Sequence, residues 1–125
     1  MIYGIGTDLL HIKTIEPSVR DESDPFVQKV YTKKELELIQ SRPNSLYSYG
    51  TRFAGKEAVF KAFRVNGDAF RLSDIEILED ENGAPVVHLR GKAEALAKEL
   101  VITNIHISLS YDTDYAQAFA IASTD

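Results

Sequence analysis

Wound as a helix, the stretch from Ser45 to Phe63 is apolar on more than one side, and this constrains the fold more than any other feature of the chain. At about 100° per residue, Phe53 and Phe60 share one side, and Ala54, Ala58 and Ala62 occupy a second. Val59 and Phe63 lie beside Arg52 and Lys56 on a separate flank. A surface helix needs only one apolar stripe, so this one is expected at the centre of a domain with other elements around it. Glu57, Lys61 and Arg64 form a charged stripe between the apolar sides. The stripe is expected to line an internal cleft or a subunit boundary.

The rest of the chain reads as elements that cover such a helix. Ile2 to Asp8 has the look of a short strand. Leu9, Ile12, Ile15 and Val19 then recur at helical spacing, with Pro17 making that helix short or interrupted. Asp21 to Pro25 is polar and turn-like. Thr32 followed by Glu35 is a capping-box pattern that opens a helix through Ile39, and Arg42-Pro43-Asn44-Ser45 ends it. Beyond residue 70 the period changes. Asp74 to Leu78 and Pro85 to Arg90 read as strands around an Asp80-Glu81-Asn82-Gly83 turn, and Gly91 to Leu100 as a short helix. Ile105, Ile107, Leu109 and Tyr111 alternate with His106, Ser108 and Ser110, and Tyr115 to Ser123 follows as a last strand. Its Ala116, Ala118, Ala120 and Ala122 make one smooth face that another element can approach closely. The pattern predicts an α+β fold, an antiparallel sheet packed against a long central helix.

The size, 125 residues, suits one domain spanning 1–125. No apolar run approaches the length of a membrane span, and the N-terminus lacks the pattern of a secretory signal. With no cysteine, disulfides and thiolate chemistry are excluded, which fits the cytoplasm. The net charge of −5 makes non-specific nucleic-acid binding a poor expectation. Charge is uneven: residues 1–70 carry ten Lys/Arg against nine Asp/Glu, and residues 71–125 carry four against ten. An acidic partner is therefore expected to meet the first half, where Lys13, Arg20, Lys29, Lys33, Lys34 and Arg42 lie.

Two carboxylates stand among small and apolar neighbours: Asp8 after Gly4-Ile5-Gly6-Thr7, and Glu57 within Arg52-Phe53-Ala54-Gly55-Lys56-Glu57-Ala58. An ionised carboxylate in such surroundings needs a partner or shifts its pKa. A hard cation such as Mg²⁺ satisfies two of them and leaves room for substrate phosphates. Each residue alone has an ordinary explanation. An Asp before an apolar segment is commonly a helix N-cap, and Glu57 with Lys61 is commonly a surface i,i+4 pair. His11, His88 and His106 lack zinc-ligand spacing. Gly4 and Gly6 fall short of a dinucleotide fingerprint, and there is no Gly-x-Ser-x-Gly elbow.

Together, Ile2-Tyr3-Gly4-Ile5-Gly6-Thr7-Asp8-Leu9-Leu10 and Arg52 through Phe63 resemble the holo-acyl-carrier-protein synthase family, the short bacterial-type 4′-phosphopantetheinyl transferases. The similarity continues through Asp74-Ile75-Glu76-Ile77, Asn82-Gly83-Ala84-Pro85 and His106-Ile107-Ser108-Leu109-Ser110, nearly the whole chain. It implies the phosphopantetheinyl transferase fold. It also implies transfer of phosphopantetheine from coenzyme A to a serine of an apo acyl carrier protein, in support of fatty acid biosynthesis. By position, Asp8 and Glu57 match the family's Mg²⁺ ligands, and Lys61 matches the lysine on the phosphates. Coenzyme A contacts are implied at Arg52, Lys61, Arg64, Asn82, Gly83, Pro85, Ser110 and Tyr111, and carrier contacts at Lys13 and Arg20. The family assembles as a trimer with sites between subunits, one subunit expected to give Asp8 and the other the Glu57 helix.

Three positions depart from the family pattern. Arg64-Val65-Asn66-Gly67-Asp68 stands where a glycine-rich turn is usual, Tyr111 stands where a histidine is usual, and Thr14 stands where an arginine often follows Lys13. Carrier choice or turnover is expected to differ accordingly. Two competing functions follow from the same residues: a non-catalytic relative that binds coenzyme A or a carrier, and a different Mg²⁺-dependent phosphodiesterase.

Overall fold

The computed structural model describes residues 1–125. Its centre is the helix α4 (Ser45–Ala62), with residues buried around most of its circumference, including Arg52, Ala54, Lys56, Ala58, Val59 and Ala62. The expectation of a central helix therefore holds. A three-stranded antiparallel sheet lies against it in the order β1 (Ile2–His11), β5 (Tyr115–Ser123), β4 (Asn104–Tyr111). The hairpin β2 (Ile75–Glu79) and β3 (Pro85–Leu89) forms a second, separate sheet beside it. The single sheet read from the sequence is thus two. Both pack on one continuous core.

Alternation decides what each strand shows to the helix. Ala116, Ala118, Ala120 and Ala122 of β5 are all buried, because α4 lies across them. On β1 the residues facing α4 include Gly4 and Gly6, and a Cβ at either would run into the carbonyl oxygens of Ala62 and Ala58. Strand and helix backbones therefore touch directly. The smooth alanine face is covered within one chain and says nothing about a partner. The other face of this sheet stays open, with Ile5, Leu9, Tyr115 and Phe119 exposed.

Between β1 and α4 the chain makes a 3-10 turn at Ile12–Thr14 and the short helices α1 (Glu16–Arg20), α2 (Phe26–Val30) and α3 (Lys33–Gln40). Pro17 sits in the first turn of α1, where its missing N–H costs nothing. Thr32 and Glu35 complete the expected capping box of α3. The helix α5 (Gly91–Glu99) joins β3 to β4. Leu9 and Leu10 belong to β1 rather than to an amphipathic helix. Pairing with Gln117 and Ala116 on β5 holds them extended. Asp8 consequently lies within a strand and is not a helix N-cap.

Candidate active site

The close packing of β1 on α4 brings the two carboxylates of the sequence analysis to one place. Asp8 follows Gly4 and Gly6 on the side of β1 that faces the helix. Glu57 and Lys61 project from α4 one turn apart. The Lys61 Nζ donates to the Thr7 carbonyl at 2.9 Å and lies 3.3 Å from Asp8 Oδ1. Burial pushes the Glu57 carboxyl above the usual carboxylate range, the negative charge of Asp8 adds to that shift, and Lys61 opposes it. Asp8 and Glu57 thus interact within a single chain. The expected division, Asp8 from one subunit and the Glu57 helix from another, is wrong, because the glycine–alanine contact seats each chain's own helix on its own strand.

In the single chain the charged stripe is partly open. Glu57 is half-buried, but the Lys61 side chain is 54% exposed, and Arg64 is at the surface. Arg64 stands just past the end of α4 with φ of 60°, a left-handed position that favours glycine. Its guanidinium lies 5.7 Å from the Tyr3 ring and donates weakly to the Tyr3 carbonyl. The departure from a glycine-rich turn therefore leaves a cation beside β1.

The donor set suits magnesium. Two half-buried carboxylates lie together where β1 meets α4, and their repulsion shows in Glu57. No third carboxylate, histidine or cysteine gathers with them. Mg²⁺ is commonly held by one or two carboxylates, with water and substrate phosphates completing its shell. A site that softer ions prefer would offer nitrogen or sulfur.

The other expected coenzyme A residues do not join this pair. Arg52, Gly83, Pro85 and Tyr111 line a separate cavity of about 400 Å³ on the β4 side, together with Arg42 and Tyr47. Arg52 and Lys61 lie about 180° apart around α4 and about 13 Å apart along it. The Arg52 guanidinium is buried, donating to the Ile77 carbonyl at 3.2 Å and to Glu79 at 3.1 Å, and Arg42 pairs with the other Glu79 oxygen. Tyr111 stacks on Tyr47 with ring centroids 5.0 Å apart. Asn82 sits in the exposed hairpin turn next to Gly83, whose φ of 82° explains the glycine. Ser110 points away from the cavity, into a shallow depression with Leu9 and Tyr115 on the open sheet face.

Sequence reasoning placed Arg42 among general surface cations and did not single out Tyr47. Only their place beside Pro43 and at the start of α4 hinted at a shared wall. Lys13 and Arg20 do meet, lining a groove of about 570 Å³ that shares Pro43, Asn44 and Tyr47 with the first cavity. Glu16 and Asp114 line it too, and Glu16 accepts from Arg20 at 2.8 Å, so the groove is less basic than the sequence suggested.

Comparison with known proteins gives the family and the fold. Residues 4–120 match the model of the 4′-phosphopantetheinyl transferase superfamily. A holo-[acyl-carrier-protein] synthase of Caldicellulosiruptor saccharolyticus is 39% identical over 125 residues, covering 100% of this chain and 99% of the relative. The crystal structure of the corresponding synthase from Neisseria meningitidis superposes with a TM-score of 0.88 at 30% identity, covering 98% of this chain and 99% of that one. The Helicobacter pylori synthase, solved in complex with coenzyme A, superposes with a TM-score of 0.80 at 28% identity, covering 95% and 99%.

Proposed function

The chain belongs to the holo-[acyl-carrier-protein] synthases of the 4′-phosphopantetheinyl transferase superfamily, and from that membership we propose how its own residues carry the reaction. The substrate is coenzyme A, the acceptor is a serine hydroxyl of an apo acyl carrier protein, and the by-product is adenosine 3′,5′-bisphosphate. The observation that carries this reading is the convergence of Asp8, Glu57 and Lys61 at one point of the β1–α4 contact, two carboxylates against one lysine.

Asp8 and Glu57 are the residues that hold Mg²⁺. Bound there, the ion supplies neutralisation of the diphosphate and alignment of its reacting phosphorus. Lys61 reaches the same point from one turn further along α4 and offsets the charge that grows on the departing bisphosphate. The serine proton passes to a carboxylate or to a water held by Asp8 and Glu57. Arg64 extends the positive edge beyond Lys61.

The second cavity supplies the remaining contacts. Arg42, Arg52, Gly83, Pro85 and Tyr111 receive the nucleotide end of coenzyme A, with Asn82 at the rim. Because this cavity lies across α4 from Lys61, one chain offers the two halves on opposite sides, and a complete site joins the Asp8 half of one protomer to the Arg42 half of its neighbour. The open sheet face with Ile5, Leu9, Tyr115 and Phe119 is the surface that supports such a homotrimer. An exposed apolar patch of this kind marks an interaction site. Lys13 and Arg20 take the acidic carrier, with no role for nucleic acid or membrane. Residues 1–125 act as one transferase domain in the cytoplasm, serving fatty acid biosynthesis.

The test is mass spectrometry of apo acyl carrier proteins incubated with the protein, coenzyme A and Mg²⁺. Gain of one phosphopantetheine arm, dependent on the metal, is the expected result. Failure to modify any of several carriers would overturn the reading.

A further inference from the structure

A lysine that the transfer chemistry does not use is buried in α4. Lys56 precedes Glu57, yet it has no exposed surface. Its ammonium pairs with Glu35 Oε1 at 2.7 Å and donates to the carbonyls of Leu72, at 3.2 Å, and Ile75. An ammonium has three N–H donors, so each one has a protein acceptor. Glu35 in turn accepts from the Thr32 N–H at 2.9 Å and the Ile77 N–H at 2.8 Å. The start of α3, the middle of α4, and β2 with the turn before it all meet at this one dry ion pair.

Such a pair is a poor source of net stability. The cost of desolvating two charges offsets their attraction, and apolar residues of similar volume often serve as well or better. What an apolar contact lacks is direction. On its β1 side α4 rests on Gly4 and Gly6 through Ala58 and Ala62, a contact of small groups that sets the separation, and the side-chain bonds there come from the exposed Lys61 and Arg64. Lys56 lies about 160° around the helix from Ala58 and holds it from the far side.

We propose that the Lys56–Glu35 pair is a positioning device for phosphopantetheinyl transfer, fixing the rotation and axial position of α4 and thereby the placement of Glu57 and Lys61 over Asp8. The inference rests on the transferase reading above. Side-chain ends lie about 5–6 Å from a helix axis, so a turn of roughly 10° moves them by about 1 Å. A misplacement of that size costs on the order of 10²-fold in rate.

The experiment uses Lys56→Met, which keeps length and removes the charge. Thermal midpoint, kcat, KM for coenzyme A, and Mn²⁺ affinity by electron paramagnetic resonance without carrier are measured together. A folded variant with kcat lowered about 10- to 100-fold, KM for coenzyme A near the parent value, and weakened Mn²⁺ binding is the expected result. Ile39→Val, a trimmed core residue of α3, controls for lost stability and keeps parental kcat and Mn²⁺ affinity. If Lys56→Met does not fold, Glu35→Gln replaces it and shows the same pattern at smaller size. Parental kcat and Mn²⁺ affinity in a folded Lys56→Met or Glu35→Gln protein overturn the proposal, as does an equal loss in Ile39→Val. Absence of transfer by the parent protein overturns the transferase reading instead, and the Mn²⁺ measurement still judges the pair.

Discussion

The two flanks of α4 carry the same kinds of charge in opposite states. On one flank Glu35 and Lys56 are fully buried, their charges cancel, and their hydrogen-bonding atoms meet protein partners. On the other, Asp8 and Glu57 face a single exposed lysine, and the group is left one positive charge short. The first arrangement is closed and has no use for a ligand. The second is incomplete, and in the proposed function a cation with a phosphate-bearing substrate completes it. Burial with full satisfaction marks a structural pair, and half-burial with a charge deficit marks a working one.

The largest effect that breaks this contrast is on turnover. Asp8→Ala and Glu57→Ala each lower metal-dependent transfer by about 10³-fold or more, while circular dichroism stays that of a folded protein. Parental rates in either variant would refute the assignment of the metal-holding pair. On the closed flank the sensitive quantity is stability. Glu35→Ala strands the Lys56 charge, and denaturant titration should show a loss of about 3–5 kcal/mol.

Glu57→Gln sharpens the comparison from the open side. The Glu57 pKa is raised in the fold, so its protonated form is favoured and its ionised form opposes folding. Without metal, Glu57→Gln should melt a few degrees above the parent at neutral pH. The gap should close as pH falls through the raised pKa and vanish below the ordinary glutamate range. A gap that widens in acid would contradict the sign. The smallest effect is at Arg64. Arg64→Gly relieves a left-handed backbone and should stabilise by about 1 kcal/mol, with a raised KM for coenzyme A as the opposing change.

What the sequence revealed depended on how local the determining contacts are. The many-sided apolar pattern of Ser45 to Phe63, the Thr32–Glu35 cap and the Asn82-Gly83 turn are set by neighbours a few residues apart, and all three appear as expected. The end of β1 was not legible, because Leu9 and Ile12 fit a helical spacing as well as a strand, and only pairing with β5 decides between them. The helix α2 was missed since Phe26–Val30 is too short to show a period. At the site, Asp8, Glu57 and Lys61 were identified from motif resemblance, whereas the subunit that supplies each depended on the Gly4–Ala62 and Gly6–Ala58 contacts. The Glu35–Lys56 pair was invisible for the same reason. Glu35 reads locally as a cap, and its second partner is a long-range one.

The most direct test of the account is a mixing experiment between two inactive variants. Asp8→Ala and Glu57→Ala proteins carrying different tags are co-expressed, mixed assemblies are isolated through both tags, and transfer is assayed with coenzyme A, Mg²⁺ and an apo carrier. In the proposed homotrimer both carboxylates of a site come from one protomer, so every site in the mixture lacks one of them, and the predicted result is no recovery. Activity well above that of either variant alone would place Asp8 and Glu57 of one site on different chains and contradict the account.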